Sequence, residues 1–281
     1  MKKSLKIVLS AILIMGLVSC AGNFQYYDVT NSSEIVESTQ TQVGDNIGDN
    51  IGDNEQQISV AGNLEIFIKK VSMDDVEDGR TYQILEYPEL SCTNNDYINA
   101  MLKDLTEQSK NDVIAFRVDN KEYVREMINT AEDDSYMKEL MFSYTKDAEV
   151  VTNDGKYLSI LINTFMDTGG AHPNYLMNGY TYDVEINKPT DLYDFITDKE
   201  EFRQFLKDYV VAHKDELYED ADQTVDNYID NPPNDYGIDY HIDYYIKDKQ
   251  FHIVFQTYEL APHAAGIIDI IVDNSLLKVN L

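Results

Sequence analysis

His172 is the residue whose type and setting most directly suggest chemistry. It follows Gly169 and Gly170 and precedes Pro173 and Asn174, in a turn between two predicted strands. An imidazole at such a turn can bind a ligand or a metal ion. The same residues also fit a structural role, because glycines allow unusual backbone angles and a histidine can fix the turn through hydrogen bonds. The sequence favours the structural role and leaves ligand binding open.

The other histidines belong to no recognisable catalytic or metal-binding motif. His213 falls on the apolar face of a predicted helix, and His241 and His252 fall on the polar face of a predicted hairpin, in registers that keep them apart. His263 lies in the loop Tyr258–Gly266. The sequence has no histidine or paired-cysteine zinc motif, no nucleophile turn and no phosphate-binding loop. We therefore expect no catalytic residue, no metal site and no cofactor.

Acidic side chains are too numerous to indicate an active site by themselves. With 51 Asp and Glu residues, carboxylate pairs are unavoidable, so no chosen pair points to glycosidase chemistry. The stretch over residues 226–245 is dense in Asp, Asn and Tyr. Such a stretch can hold glycan or a basic protein, because tyrosine stacks on sugars and Asp and Asn bond to hydroxyls. A strand with a solvated outer face explains the same composition, and the sequence favours it.

The N-terminus predicts export and lipidation. Three lysines precede an apolar run over residues 7–18. The run has the length of the apolar region of a signal peptide and is short for a membrane-spanning helix. The run ends at Leu17-Val18-Ser19-Cys20, which resembles a bacterial lipobox. We expect cleavage before Cys20 and a lipid on its thiol, which anchors the chain at the surface of the cell membrane or outer membrane. The alternative is an ordinary secretory signal with a chance cysteine.

Charge excludes several classes of partner. The net charge is −29, and removal of residues 1–19 with their three lysines makes it more negative still. Nucleic acid and anionic lipid headgroups need a cationic surface, so neither is an expected partner, and lipid must supply the membrane contact. The charge favours basic partners. Cys92 is the second of two cysteines, so with Cys20 lipidated no disulfide can form within the chain.

A flexible tether is predicted after the signal peptide. Residues 20–60 are rich in small polar residues and contain a Gly-Asp-Asn-Ile repeat that begins at Gly44. A repeat this short cannot bury an apolar face. The spacing of its Asp and Asn residues could indicate a calcium-binding site, but the EF-hand pattern of alternating ligands and a final glutamate is missing. The tether is the favoured interpretation.

The first half of the folded region mixes strands and helices. Residues 64–68 and 81–87 read as strands, the second ended by Pro88. Apolar residues at helical spacing predict one helix from about Asn94 and a second, short helix over 123–128. Residues 140–144 are predicted to be extended.

The second half alternates with a period of two, which predicts a sheet with one buried face. Asp198 is predicted to cap a helix. Residues 238–246 and 251–255 then form a predicted hairpin in which Ile246 faces Phe251 and Tyr244 faces Ile253. The expected fold class is α+β, with antiparallel sheets and helices packed on one face.

Three segments together resemble a known pair of domain families. They are Tyr87–Leu90 before the first helix, Gly169–Asn174 before a tyrosine-rich strand, and Tyr258–Gly266 before an apolar strand. They are similar to segments of DUF4163 and DUF3298, two domain families of unknown function. The resemblance implies a DUF4163-like domain over residues 61–155 and a DUF3298-like domain over 156–281, small and intimately linked.

What the resemblance implies is an exported, non-catalytic module. In these families the pair forms the exported region of an anti-sigma factor that senses lysozyme, and it precedes the catalytic domain of a peptidoglycan deacetylase. We expect neither that catalytic domain nor the transmembrane part of the sensor here. The implied partners are cell-wall glycan (peptidoglycan) or a basic protein such as lysozyme. The alternative is a metal-dependent hydrolase or deacetylase, which needs His172 or His263 to meet carboxylates in one pocket.

The candidate ligand-binding residues lie in two of the three segments. The family usually has tyrosine where His263 stands, which weakens the assignment of the third segment to ligand binding. The full set is Gly169, Gly170, His172, Pro173, Asn174, Tyr258 and His263.

Overall fold

The computed structural model describes residues 56–61, 64–132, 139–230, 241–279 and 281. The predicted lipidation site Cys20, the signal peptide 1–19 and most of the predicted tether lie outside these residues. Within them, no helix is both long enough and apolar enough to cross a membrane.

Runs of strands and runs of helices follow one another along this part of the chain, as expected for an α+β fold. The helices are α1 (Asp96–Thr130), α2 (Leu192–Phe195), α3 (Lys199–Ala212) and α4 (Ala221–Asp230). The strands are β1 (Gln56–Ala61), β2 (Leu64–Ser72), β3 (Asp75–Glu77), β4 (Arg80–Cys92), β5 (Phe142–Asn153), β6 (Tyr157–Asp167), β7 (Asn174–Asp183), β8 (Lys188–Pro189), β9 (Asp243–Lys247), β10 (Gln250–Phe255) and β11 (Ile268–Val272).

The strands form a large sheet and a small sheet. The large sheet has eight strands in the order β1-β2-β4-β5-β6-β7-β8, with β3 paired to β4. All its pairs are antiparallel except β4 and β5, which run parallel. A parallel pair needs a crossover, and α1 supplies it. The predicted α+β class with antiparallel sheets is confirmed, and the single parallel pair makes the large sheet mixed.

One long helix replaces the two predicted helices. Helix α1 is continuous over 35 residues and is capped by Asn95, whose side chain accepts hydrogen bonds from the backbone N–H groups of Tyr97 and Ile98. Its apolar residues lie on one face of the large sheet. The buried apolar residues of the helix are Ile98, Leu102, Leu105, Val113, Phe116, Val124 and Ile128.

Pro88 does not end the second predicted strand, because β4 continues to Cys92. Strand β5 pairs with β4 only over residues 83–86. At Pro88, therefore, one side of β4 has no neighbouring strand, which is the setting in which proline is tolerated. Beyond it, the backbone N–H of Leu90 donates to the Thr106 hydroxyl of α1 at 2.8 Å.

The small sheet has the order β11-β10-β9, and its hairpin has the predicted register. Ile246 faces Phe251 and Tyr244 faces Ile253. Asp248 and Lys249 have φ of 52° and 62°, the left-handed angles of a type I′ turn. The apolar face of this sheet packs against α2, α3 and α4. Asp198 caps α3 as predicted.

The second face of the large sheet packs against the small sheet. Leu161 and Met177 contact Tyr245 and Val254 there. Strand β6 is therefore buried on both faces, and the expectation of one buried face was wrong for it. Gly179 of β7 makes the close approach possible, since a Cβ at this position would lie 1.9 Å from the Tyr244 carbonyl oxygen.

The proposed domain boundary falls in a turn of the large sheet, and the end of the proposed tether falls in a strand. Residues 155 and 156 lie in the turn that joins β5 to β6 in the large sheet. Residues 56–61, assigned to the end of the tether, form the edge strand β1 and pair with β2.

Candidate ligand-binding site

The two segments singled out in the sequence lie against each other. The turn over residues 169–174 joins β6 to β7, and the loop over 256–267 follows β10. The Nε2 atom of His172 lies 2.9 Å from the Tyr258 hydroxyl, and Nε2 of His263 lies 3.0 Å from the carbonyl oxygen of Pro173. The rings of His172 and His263 stack, with centroids 3.5 Å apart. We call His172, Tyr258 and His263 the aromatic cluster.

Hydrogen bonds assign a proton position to each imidazole. The Pro173 carbonyl oxygen can only accept, so His263 donates through Nε2–H. The same oxygen lies 3.3 Å from Nδ1 of His172, which therefore donates as well. That leaves Nε2 of His172 to accept from the Tyr258 hydroxyl.

The backbone conformation requires glycine at position 169 and is unusual at Tyr258. Gly169 has φ of +71°, its N–H donates to the Asp167 carboxylate at 2.8 Å, and a Cβ there would meet the Leu140 side chain at 2.5 Å. Tyr258 has φ of +75°, in the left-handed region that bulky residues rarely occupy. Backbone strain of this kind is concentrated at functional sites.

A cleft of about 580 Å³ lies beside the aromatic cluster, and His263 lines it. Its floor is the part of β5, β6 and β7 that the small sheet leaves uncovered. Its wall is the segment from His263 to Ile267, which includes Ala264, Ala265 and Gly266. The cleft therefore exists because the small sheet ends before the strands beneath it do.

Two rows of side chains cross the floor of the cleft. Strand register places Thr145, Phe165 and Tyr175 in one row, and Asp147, Asn163 and Met177 in the next. The rings of Phe165 and Tyr175 meet edge to face at 5.3 Å, and 47% of Tyr175 is exposed. The floor thus presents an aromatic surface beside a carboxylate and an amide, a combination that can stack on a sugar ring and bond to its hydroxyls.

Gln256 fastens the loop to β7, a role that the sequence did not reveal. Its side-chain amide donates to the carbonyl of Met177 at 2.8 Å and accepts from the N–H of Met177 at 3.0 Å. The same amide donates to the Asp243 carboxylate at 2.9 Å. The backbone N–H of Gln256 donates to the Glu259 carboxylate at 2.5 Å. We call Asp243, Gln256 and Glu259 the loop network.

Burial destabilises the charged forms of both carboxyl groups in the loop network. Burial raises the pKa of Asp243. Burial, aided by the negative charge of Asp243, raises the pKa of Glu259 to about 7, although a hydrogen bond from Tyr228 acts in the opposite direction. The folded protein therefore binds the Glu259 proton more tightly than the unfolded chain does.

Substituting Glu259→Gln should remove a pH dependence of stability. The pKa of Glu259 in the folded state lies above its ordinary value of 4.5. Its contribution to the free energy of unfolding is therefore fully present below pH 4.5 and is lost as the pH rises through about 7. The loss is on the order of 3 kcal/mol for a shift of this size. Urea unfolding between pH 4.5 and 8.5 should show that the free energy of unfolding of the variant increases relative to that of the wild type as the pH rises. Glu219→Gln, at an exposed position, is the control and should follow the wild type.

The other histidines and the free cysteine lie away from the cluster. His213 ends α3 and bonds through Nδ1 to the Tyr209 carbonyl. His252 is buried, with Nδ1 3.0 Å from the Asp269 carboxylate, and His241 is exposed. Cys92 is buried. Within the described ranges, no group of three or more His, Cys, Asp or Glu side chains is arranged to hold a metal ion.

In the described part of the stretch rich in Asp, Asn and Tyr, the tyrosines are not exposed. Tyr228, Tyr244 and Tyr245 are all buried. Asp226 forms ion pairs with Arg203 and Lys207. Residues 231–240 lie outside the described residues. The interpretation of this stretch as a sugar-stacking surface therefore fails for these tyrosines, whereas Tyr175 and Tyr258 at the cleft are exposed.

Two family models match consecutive parts of the chain. Residues 193–275 match DUF3298, a protein family of unknown function. Residues 77–175 match the family described as Deacetylase PdaC. The predicted DUF3298 resemblance is confirmed, and the assignment of the first half to DUF4163 stays a prediction. The matches indicate a cell-envelope-associated family of unknown function.

One solved structure shares the fold. A DUF3298 family member from Bacteroides fragilis superimposes with a TM-score of 0.54 at 17% identity, covering 78% of this chain and 95% of that one. A DUF3298 family protein from Pseudomonas aeruginosa has a TM-score of 0.45 at 16% identity, covering 83% and 97%. No curated protein matches the chain.

Proposed function

We propose that this chain is a non-catalytic binding protein of the cell envelope that holds cell-wall glycan in the cleft between β5–β7 and the 256–267 loop. One observation carries the proposal. The Gly169–Asn174 turn and the Tyr258–Gly266 loop, distant in sequence, meet beside a cleft with an aromatic floor. Ligand sites are concave, with an apolar lining and a few placed polar groups, and this cleft has that composition.

The floor of the cleft supports a sugar as ligand. Tyr175 offers an exposed ring that can cover the apolar face of a pyranose. Asp147 and Asn163 lie in the neighbouring row, within the reach of hydroxyl groups on the same sugar or the next one. Asp147 is oriented by Lys70, whose ammonium lies 2.7 Å from its carboxylate. A glycan strand such as that of peptidoglycan supplies both the ring faces and the hydroxyls.

A lipid on Cys20 would hold this site at the envelope. The lipobox at residues 17–20 and the polar sequence that follows it support export and anchoring. In this proposal the membrane contact is made by lipid alone, since the net charge of −29 opposes adhesion to anionic headgroups. The anchored protein would bind cell-wall material near the membrane surface.

The contacts of the histidines support binding rather than hydrolysis. The nitrogens that form bonds in the cluster bond to a tyrosine hydroxyl and to a backbone carbonyl. In the described part of the chain, no carboxylate hydrogen-bonds to His172 or His263. A metal-dependent hydrolase would need such carboxylates beside them.

A second candidate ligand, a basic protein such as lysozyme, is favoured by charge. The net charge of −29 would accelerate encounter with a cationic partner through long-range attraction. Such an association should weaken steeply between 50 and about 300 mM salt, because screening shortens the range of the attraction. Glycan binding through stacking and neutral hydrogen bonds should change little over the same range.

Tyr175→Ala tests the proposed function. We expect saturable binding of soluble peptidoglycan strands to the full-length chain, and a loss of affinity of about tenfold in the variant, because the exposed ring contributes about 1.4 kcal/mol. Tyr97→Ala, which removes an even more exposed ring at the start of α1, is the control and should bind like the wild type. Calorimetry is the measurement. The proposal fails if the wild type shows no saturable binding, or if both variants bind with wild-type affinity.

A further inference from the structure

We propose that the loop network makes ligand retention depend on protonation: the 256–267 loop is held against β7 when Glu259 carries a proton, and it loosens when Glu259 and Asp243 are both charged. This inference rests on the proposed function, since it concerns regulation of the same site. It arises from a cluster of contacts rather than from any single residue.

The network joins both sides of the cleft. Gln256 begins the loop that carries Tyr258 and His263, and its side chain makes a two-bond bridge to the backbone of Met177, which lines the cleft. The Asp243 carboxylate orients this bridge from below. It accepts from the Gln256 amide at 2.9 Å and from the Asn178 amide at 3.2 Å. Movement of Gln256 therefore moves the wall of the site relative to its floor.

Glu259 closes the first turn of the loop. The backbone N–H of Glu259 donates to the Gln256 carbonyl at 3.1 Å, while the Glu259 carboxyl accepts from the Gln256 N–H at 2.5 Å. The turn is fastened by both bonds, and Tyr258 lies inside it with its unusual backbone angle. Releasing the carboxyl would let this strained residue relax and would withdraw its hydroxyl from His172.

Charge repulsion supplies the reason for release. The groups that face the network from neighbouring elements are Tyr228 of α4, Asp243 of β9 and, just before β9, His241, whose charge acts on Asp243. Tyr228 hydrogen-bonds to Glu259, and among the causes that shift the pKa of either carboxyl in the described part of the chain there is no lysine or arginine. Two ionised carboxylates bound to the same glutamine lower their energy if Glu259 turns to solvent. Burial of Glu259 and its raised pKa are consistent with this arrangement.

Hydrogen exchange of the full-length chain at pH 6 and pH 8.5, corrected for the intrinsic effect of pH, tests the inference without any ligand. In the wild type, protection of residues 256–267 should fall by about tenfold between these pH values, because the pKa of Glu259 is about 7 in the closed loop and pH 6 lies about one unit below it. In Glu259→Gln, which keeps the acceptor oxygen and cannot ionise, protection should be the same at both pH values. Protection of β10 reports in each case that the variant is folded.

Binding of soluble peptidoglycan strands by the same two proteins completes the test. Wild-type affinity should fall between pH 6 and 8.5, and the affinity of Glu259→Gln should not. Equal loss of loop protection in both proteins, or none in the wild type, overturns the inference. If the loop loosens only in the wild type but no glycan binds at either pH, the protonation switch stands and the proposed function is wrong.

Discussion

Gly179→Ala is expected to lower the free energy of unfolding by about 3 kcal/mol or more, the upper range for overpacking a buried contact. A Cβ at Gly179 would lie 1.9 Å from the Tyr244 carbonyl oxygen and 2.7 Å from its carbon. Both are backbone atoms of β9, so no side chain can rotate away. The large and small sheets must separate locally, which exposes the contact of Leu161 and Met177 with Tyr245.

Gly170→Ala is the matched control, because a Cβ at that glycine has no heavy atom within 4 Å. Urea unfolding of the full-length chain should give a wild-type midpoint for Gly170→Ala and a much lower one for Gly179→Ala. Since β7 also carries Met177, we expect the Gly179 variant to lose loop protection as well. A wild-type midpoint for Gly179→Ala would show that β7 and β9 do not approach as closely as described.

Ala265→Trp is expected to abolish glycan binding while leaving the fold intact. Ala265 is exposed and lines the wall of the cleft, so an indole there would fill the space above Tyr175 without entering the core. We expect affinity to fall at least about a hundredfold, a loss of about 2.7 kcal/mol, because the sugar and the indole compete for one volume. Calorimetry with soluble peptidoglycan strands is the measurement.

Ala212→Trp makes the same change at an exposed position at the end of α3 and should bind normally. The wild type contains no tryptophan, so each variant carries a single indole. Fluorescence at the cleft position also reports whether the ring is accessible. Undiminished binding by a folded Ala265→Trp protein would place the ligand elsewhere on the molecule.

Local sequence patterns predicted the small sheet better than the large one. The β9–β10 register followed from two alternating apolar runs and a tight turn, which are signals contained within about twenty residues. The parallel pairing of β4 with β5 could not be predicted in this way, because it depends on α1 spanning the sheet between them. The continuity of α1 was missed since charged residues interrupt its apolar pattern, while packing on the sheet holds the helix together.

The candidate site was found in part from the sequence. Glycines beside His172 and the segment beginning at Tyr258 marked both halves of the aromatic cluster. Gln256 was missed, and Asp243 was noted only as part of a stretch rich in Asp, Asn and Tyr, because a glutamine and an aspartate at strand ends carry no local signal of their own. Their role arises only when Met177, far away in the chain, lies beside them. The floor of the cleft was also missed, since it depends on where one sheet stops covering another.

The most direct test of the proposed function is an NMR titration of the full-length chain with soluble peptidoglycan strands, observed at the aromatic ring signals. The proposal predicts saturable shifts at Tyr175 and His263, which line the cleft, and none at Tyr97 or His213, which lie outside it. Saturable shifts confined to residues outside the cleft, or no saturable shift at any ring, would contradict it.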